Sequence, residues 1–156
     1  MATVTVTQKV NASAKDTWAA WDDFANINAF NPNIQKSFLI NDSDATGLGA
    51  QRRCDLADGK NHILERIIQY SPGQKMVIDI YEGTLPMKQA IATISVAPLG
   101  AQTSKVTMSM EFEPKFGLIG RMMIPMMKPQ IKGMLAKLLK GNAEYVESTC
   151  RMRLVA

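Results

Sequence analysis

The chain has 156 residues, of which 46% are hydrophobic and 21% are charged, and its formal net charge is +4 at pH 7. These values are typical of one globular domain with a substantial core, and no stretch approaches the ~18 uninterrupted apolar residues of a membrane-spanning helix. Basic residues are spread along the chain without interleaved aromatic residues, so we expect a single domain over residues 1–156 that does not bind nucleic acid.

The N-terminal residues lack the basic region and apolar run of a signal peptide. The two cysteines, Cys54 and Cys150, lie far apart in the sequence. So few cysteines favour a reducing compartment over a disulfide framework. We therefore expect a cytoplasmic protein.

The first elements are a strand and a short helix. Threonine alternates with valine over residues 3–10, which predicts a strand. Ser13 is a predicted N-cap. Trp18, Trp21 and Phe24 then recur at helical spacing on a short helix, whose continuation stops before Pro32. These three aromatic side chains either stack on a ligand or pack the helix against a sheet.

The middle of the chain predicts a run of strands separated by turn residues. The clearest turn is Asp58-Gly59, a dipeptide typical of tight hairpins. The other turns contain glycine, proline, asparagine or aspartate. The predicted strands span residues 34–40, 47–56, 61–70, 75–82, 87–96 and 103–112.

The segment 118–127 is rich in methionine and is flanked or interrupted by Gly117, Gly120, Pro125 and Pro129. Proline interrupts the hydrogen bonds within a helix, so we expect a loop or a short helix here, with a continuous helix beginning near Pro129. Methionine suits surfaces that accept variable apolar shapes. The segment can be a mobile lid, a surface in transient contact with a membrane, or part of the core.

The last predicted element is an amphipathic helix of about 20 residues or more, with apolar residues at helical spacing and lysines largely on the other side. A long amphipathic helix after a run of strands predicts a curved sheet that closes around the helix. This arrangement often leaves a cavity.

The Asp58-Gly59 turn also predicts which strand positions face each other. It sets Ala57 opposite Lys60, and therefore Arg52 opposite Glu65 and Cys54 opposite Ile63. Because side chains alternate along a strand, these four residues share the apolar, inward face with Leu56 and Ile67. The outward face carries Gln51, Arg53, Asp55, Lys60, His62 and Arg66.

An Arg–Glu pair on an apolar face has three interpretations. It can be an internal ion pair that only stabilises the fold, a group that orients the polar end of a ligand, or a general acid/base with its arginine partner. Cys54 is expected to be a buried, inert thiol, and the outward His62 argues against a metal or catalytic-histidine role. No metal-spaced Cys/His set is present, so we expect neither metal nor cofactor.

The order and spacing of several short motifs resemble the START-like, helix-grip superfamily, which includes the birch-pollen-allergen relatives and the polyketide cyclase/dehydrase group. The motifs are Trp18-x-x-Trp21-x-Asp23-Phe24, Phe30-x-Pro32, Gly47-x-Gly49-x-x-Arg52, Asp58-Gly59 with Glu65-Arg66, Gly83-x-x-Pro86, and Thr103-x-x-Val106 before Phe112-x-Pro114.

The resemblance covers nearly the whole chain and implies an α+β helix-grip fold. That fold has a curved seven-stranded antiparallel sheet around a long C-terminal helix and two short helices after strand 1. The resemblance also implies an internal cavity for a lipid, isoprenoid, polyketide or similar apolar molecule. In some enzymatic relatives an arginine and a glutamate in the cavity act on the substrate, and Arg52 and Glu65 match that pattern.

The lining departs from this family pattern, because relatives often carry aromatic residues where this chain has Ile78, Ala90 and Met108. An aliphatic lining suits a flexible apolar ligand better than a planar polyphenol. We expect a carrier of a hydrophobic small molecule. There are two alternatives: an enzyme of the cyclase, dehydratase or isomerase type, and a membrane-docking lipid or quinone chaperone. The predicted ligand-binding residues are Arg52, Cys54, Ile63, Glu65, Ile67, Ile78, Ile80, Ala90, Ala92, Met108, Met110, Phe112, Met134 and Leu138; in the enzymatic alternative, Glu65 and Arg52 are catalytic.

Overall fold

The computed structural model describes residues 1–155, and its strands form one antiparallel sheet. The seven strands are β1 (Ala2–Val10), β2 (Ile34–Leu39), β3 (Gln51–Leu56), β4 (His62–Ser71), β5 (Lys75–Gly83), β6 (Met87–Gly100) and β7 (Thr103–Pro114). Hydrogen-bonded neighbours follow the order β1-β7-β6-β5-β4-β3-β2. The predicted seven-stranded antiparallel sheet is confirmed.

Three α-helices and a 3-10 helix complete the fold: α1 (Ala14–Asp22), the 3-10 helix (Phe24–Ala29), α2 (Gly117–Met122) and α3 (Ile124–Val155). The two short helices after strand 1 are those predicted. The curled sheet packs against α3, whose buried face joins the inward strand residues in one hydrophobic core. The helix-grip architecture is confirmed. That face consists of Leu135, Leu138, Leu139, Asn142, Ala143 and Val146.

The start of α1 follows from a side-chain cap. The hydroxyl oxygen of Ser13 accepts a hydrogen bond from the backbone N–H of Asp16 at 3.1 Å, as an N-cap does. The chain leaves helical geometry at Asp23, with φ −76° and ψ 67°. Phe24 therefore begins the separate 3-10 helix, whereas its spacing from Trp21 predicted that both lie on one helix.

Strand β3 begins at Gln51, four residues later than predicted. Gly47 and Gly49 have φ values of +89° and +87°, in the left-handed region that glycine adopts without steric cost. Extended backbone cannot continue through those conformations. Residues 47–50 are therefore part of the connection from β2, and the prediction that they belong to the strand was wrong.

The register of the β3–β4 hairpin is as predicted, with Arg52 opposite Glu65 and Cys54 opposite Ile63. The turn itself is longer than two residues. The N–H of Ala57 donates to the carbonyl of Asn33 at 2.9 Å, and the N–H of Lys60 donates to the Asp58 carboxylate at 2.8 Å, so these two residues do not pair with each other.

Helix α3 begins at Ile124, earlier than the predicted start near Pro129, and extends to Val155. Pro125 occupies the first turn of the helix, where the backbone N–H has no helical partner and its loss costs little. Pro129 lies inside the helix. Its missing N–H removes only the bond to the carbonyl four residues earlier. The expected short helix within the methionine-rich segment is α2.

Candidate ligand-binding site

The candidate site is built around a buried ion pair on the β3–β4 hairpin. Arg52 and Glu65 are 3% and 6% exposed and face each other across the two strands. The Arg52 Nε donates to Oε2 of Glu65 at 2.5 Å. Because alternate residues of both strands are buried, this pair is on the inward face of the sheet. The predicted inward Arg–Glu pair is confirmed.

The 3-10 helix fixes the position of the Arg52 guanidinium. Its Nη1 donates to the backbone carbonyl of Phe24 at 2.8 Å, and its central carbon lies 3.9 Å from the centroid of the Phe24 ring. A guanidinium over an aromatic face is stabilised by the ring quadrupole. Phe24 therefore holds the arginine, which gives the predicted aromatic cluster a packing role at this residue.

Cys54 belongs to the same group. Its Sγ donates to Oε2 of Glu65 at 3.4 Å, so the thiol and Arg52 share one carboxylate oxygen. Burial, followed by the negative charge of Glu65, raises the pKa of the Cys54 thiol far above its usual range. The thiol is therefore neutral at physiological pH. Its predicted burial is confirmed, at 1% exposure.

Within residues 1–155, the hydrogen bonds of the ion pair use neither Oε1 of Glu65 nor Nη2 of Arg52. One is an acceptor and the other a donor. A ligand hydroxyl, carbonyl or carboxylate is the kind of group that such a charged pair can bind.

The predicted apolar lining is largely buried around the same interior. Ile63, Ile67, Ile78, Ala90, Ala92, Met108, Phe112 and Leu138 are each at most 8% exposed, whereas Ile80 and Met110 are partly buried against the core. Met134 differs, because it is 43% exposed. It lies one position before the buried Leu135 and turns away from the core, so its inclusion with the lining was wrong.

A depression of about 210 Å³ reaches this lining from one end of the sheet. Its walls include the inward residues Ile63, Ile80 and Ala90, together with Leu85, Met87, Lys88 and Lys115. A second depression, of about 370 Å³, is lined by Ala2, Phe112, Arg121 and Ile124 among others. Neither contains Arg52 or Glu65. A cavity that encloses the ion pair stays a prediction.

A third depression, of about 700 Å³, lies between the 3-10 helix and α3. Its lining includes Phe30, Lys137, Lys140 and Tyr145, and none of the predicted ligand-binding residues. It is open to solvent and separate from the group around Arg52.

Two buried polar groups were missed by the sequence reasoning. The Nε1 of Trp21 and both amide atoms of Asn142 are buried without a hydrogen-bond partner within residues 1–155. Asn142 follows Leu138 by four residues and precedes Val146 by four, so helical spacing alone places it on the apolar face of α3. That spacing was the signal available in the sequence.

His62 is on the outward side of β4, next to the inward Ile63, and its backbone N–H donates to the Thr84 hydroxyl at 3.0 Å. Within residues 1–155 no three His, Cys, Asp or Glu side chains are arranged to hold a metal ion. In that same range, no helix combines the length and apolar character needed to cross a bilayer.

The family model for polyketide cyclase/dehydrase and lipid transport matches residues 1–147. The chain belongs to this family. The resemblance of its motifs to the polyketide cyclase/dehydrase group is thereby confirmed. The sequence matches no curated protein significantly.

Solved structures of the same fold include a START superfamily protein from Mycobacterium smegmatis, with a TM-score of 0.79 and 21% identity over 94% of this chain and 98% of that one. The Zhui aromatase/cyclase from Streptomyces sp. R1128 has a TM-score of 0.79 and 15% identity over 94% and 93%. Norcoclaurine synthase from Thalictrum flavum, solved with dopamine and hydroxybenzaldehyde, has a TM-score of 0.71 and 18% identity over 94% and 87%. At these identities the similarity establishes the fold.

Proposed function

We propose that this protein is a carrier that binds a hydrophobic small molecule between the sheet and α3, and that Arg52 and Glu65 hold the polar end of that molecule. The observation that carries the proposal is a buried, charged pair with uncommitted donor and acceptor atoms on an otherwise aliphatic face. The family description, which includes lipid transport, supports a lipid, isoprenoid or polyketide-like ligand.

The two parts of the site make different contributions to binding. An aliphatic surface removed from water contributes roughly 25 cal/mol per Å² and accepts many shapes. The ion pair is already fixed by Phe24, so little ordering is needed when a polar group binds to it. The lining therefore supplies affinity, and the pair supplies orientation.

The first test is native mass spectrometry of the protein purified from its own host, followed by organic extraction. A stoichiometric apolar adduct is the expected result, and it identifies the chemical class of the ligand. Protein that is repeatedly empty after gentle purification contradicts a stable carrier.

The second test is a set of variants measured with the extracted ligand. Arg52→Met is expected to weaken binding by roughly tenfold or more, because a hydrogen bond to a charged group contributes about 1.5–3 kcal/mol. The single variant also leaves the charged Glu65 buried without its partner, which can destabilise the fold. The double variant Arg52→Met/Glu65→Leu avoids this problem because it removes both charges, and it should remain folded.

The matched control is Arg66→Met/Asp79→Leu, which removes an ion pair of 2.9 Å on the outward face of the same region. It should leave affinity unchanged. If the inward double variant binds the ligand as tightly as the wild type, Arg52 and Glu65 serve only the stability of the fold and the proposed role is wrong.

The second candidate function is a cyclase, dehydratase or isomerase with Glu65 as general acid/base and Arg52 stabilising an enolate. The uncommitted Oε1 favours it, because Arg52 and Cys54 occupy only Oε2. Incubation of the extracted ligand with the protein, followed by mass spectrometry, should then show a product. Glu65→Gln should abolish product formation while binding persists; equal turnover in this variant contradicts the role.

A reducing compartment fits either function, because Cys54 and Cys150 are both free thiols. We expect the protein in the cytoplasm, where such thiols stay reduced.

A further inference from the structure

A patch of six large apolar side chains is exposed at the start of the C-terminal helices. We call it the methionine-rich patch. A soluble surface rarely concentrates large apolar residues in this way unless it contacts a partner. The patch consists of Phe116 (73% exposed), Leu118 (77%), Ile119 (69%), Met122 (79%), Met123 (47%) and Met126 (68%). The core interpretation of segment 118–127 is therefore wrong.

The local backbone explains why these side chains point outward. Phe116 and Gly117 have φ values of +72° and +54°, so the chain turns sharply after β7. Gly120 then approaches so closely that a Cβ there would lie 1.9 Å from the carbonyl oxygen of Lys115. Gly120 is also the one buried residue of α2. The helix is thus held to the sheet by its backbone, and its apolar side chains are left uncovered.

The stretch of chain that carries the patch has charged residues of one sign only. Residues 114–143 contain six basic residues and no acidic one, in a chain whose net charge is only +4. The rest of the chain is therefore net negative. Two acidic residues, Glu82 and Glu113, line the two depressions that also contain Lys115 and Arg121. The six basic residues are Lys115, Arg121, Lys128, Lys132, Lys137 and Lys140.

The patch adjoins two of the depressions described above. Lys115, immediately before Phe116, lines the depression that reaches Ile63 and Ala90. Arg121, within α2, lines the depression that reaches Phe112. A surface that contacts the patch is therefore next to both depressions.

We propose that the methionine-rich patch docks the protein onto an anionic phospholipid bilayer. Flexible methionine and leucine side chains can enter the boundary between headgroups and acyl chains, and the surrounding lysine and arginine residues complement anionic headgroups. The patch is carried by a short helix with its side chains turned outward, so no groove is formed for a peptide. The proposal is independent of the cavity ligand and stands if that ligand is never found.

The test is co-sedimentation of the full chain with vesicles of phosphatidylcholine containing 30% phosphatidylserine, compared with phosphatidylcholine alone. We expect at least tenfold stronger binding to the anionic vesicles, reduced by 0.5 M salt because surface charge is screened. Leu118→Ser/Met122→Ser/Met126→Ser should reduce binding at least tenfold. All three side chains are exposed, so the variant should fold normally, which circular dichroism checks.

The matched control is Met152→Ser/Leu154→Ser, which removes two side chains, 70% and 87% exposed, near the opposite end of α3. It should bind vesicles as the wild type does. The proposal fails if the wild type does not bind anionic vesicles, or if the patch variant and the control bind equally. A dimer in sedimentation velocity that the patch variant dissociates assigns the patch to a second copy of the chain instead.

Discussion

Arg52, Glu65 and Cys54 form a group in which one carboxylate oxygen serves two donors. Burial and the negative charge of Glu65 both raise the pKa of the Cys54 thiol, so the thiol keeps its proton, and the sulfur is buried. Reactivity of a cysteine requires the thiolate. The structure therefore predicts different reactivities for Cys54 and Cys150, which the sequence alone does not distinguish.

We predict that a thiol reagent such as DTNB labels Cys150 but not Cys54 in the folded protein at pH 8. Cys54 is buried and its pKa is raised, whereas Cys150 is partly exposed. Peptide mapping after labelling checks the site. Rapid labelling of Cys54 under native conditions would show that solvent reaches the ion pair.

The raised pKa of Cys54 also predicts the sign of a pH effect. At a pH between the cysteine pKa of the unfolded chain and that of the native state, the native thiol keeps its proton and the unfolded thiol loses it. The free energy of unfolding therefore falls as the pH rises above the ordinary cysteine pKa. Urea denaturation from pH 7 to 10 should show a decline that is smaller in Cys54→Ala.

Asn142 provides the opposite case, a buried polar side chain without a partner. We predict that Asn142→Leu increases the free energy of unfolding by about 1–3 kcal/mol, because the desolvated amide is removed and leucine also favours the helix. Urea denaturation measures the change. Gln130→Leu, at an exposed position of the same helix, is the control without this gain. Destabilisation by Asn142→Leu would mean that the amide has a bound partner.

At the scale of elements, helix α3 is about 48 Å long at 1.5 Å per residue. It contains two glycines in different surroundings. A Cβ at Gly133 would meet nothing within 4 Å, whereas a Cβ at Gly141 would lie 2.2 Å from the carbonyl oxygen of Phe30. Gly141 therefore allows the helix to approach the segment after the 3-10 helix.

We predict opposite effects for the same substitution at these two positions. Gly133→Ala should stabilise the protein by up to about 1 kcal/mol through helix propensity. Gly141→Ala should destabilise it, because backbone must move to relieve the contact. Thermal unfolding of the pair is the measurement, and equal shifts would show that α3 does not pack closely on Phe30.

The elements differ in how far their sequence predicts them. The Asp58-Gly59 dipeptide was enough for the register that pairs Arg52 with Glu65, because the alternation of strand side chains extends from a turn by simple counting. The start of α3 was misplaced because proline is disfavoured inside helices but tolerated in their first turn. The exposure of the methionine-rich patch depends on the turn at Phe116, whose left-handed geometry is unusual for a bulky residue and is not encoded by any hydrophobic pattern.

At the scale of the molecule, the fold sets the relative positions of two features that are far apart in the sequence. The inward hairpin face carries the charged pair, and the patch around α2 carries exposed apolar and basic residues more than 50 positions later. Each was visible in the sequence as a composition or a spacing. Their placement relative to each other is a property of the folded chain, so sequence patterns alone could not provide it.

The position of β1 has a consequence for how the protein is made. Val6 pairs with Met108 on β7, so the first strand to leave the ribosome waits for a partner made roughly 100 residues later, or roughly 5–20 s at typical rates of synthesis. Strands β3 to β7 can pair with their neighbours meanwhile. During that interval the valine face of β1 is unprotected, and the unpaired strand is a site where another nascent chain can add.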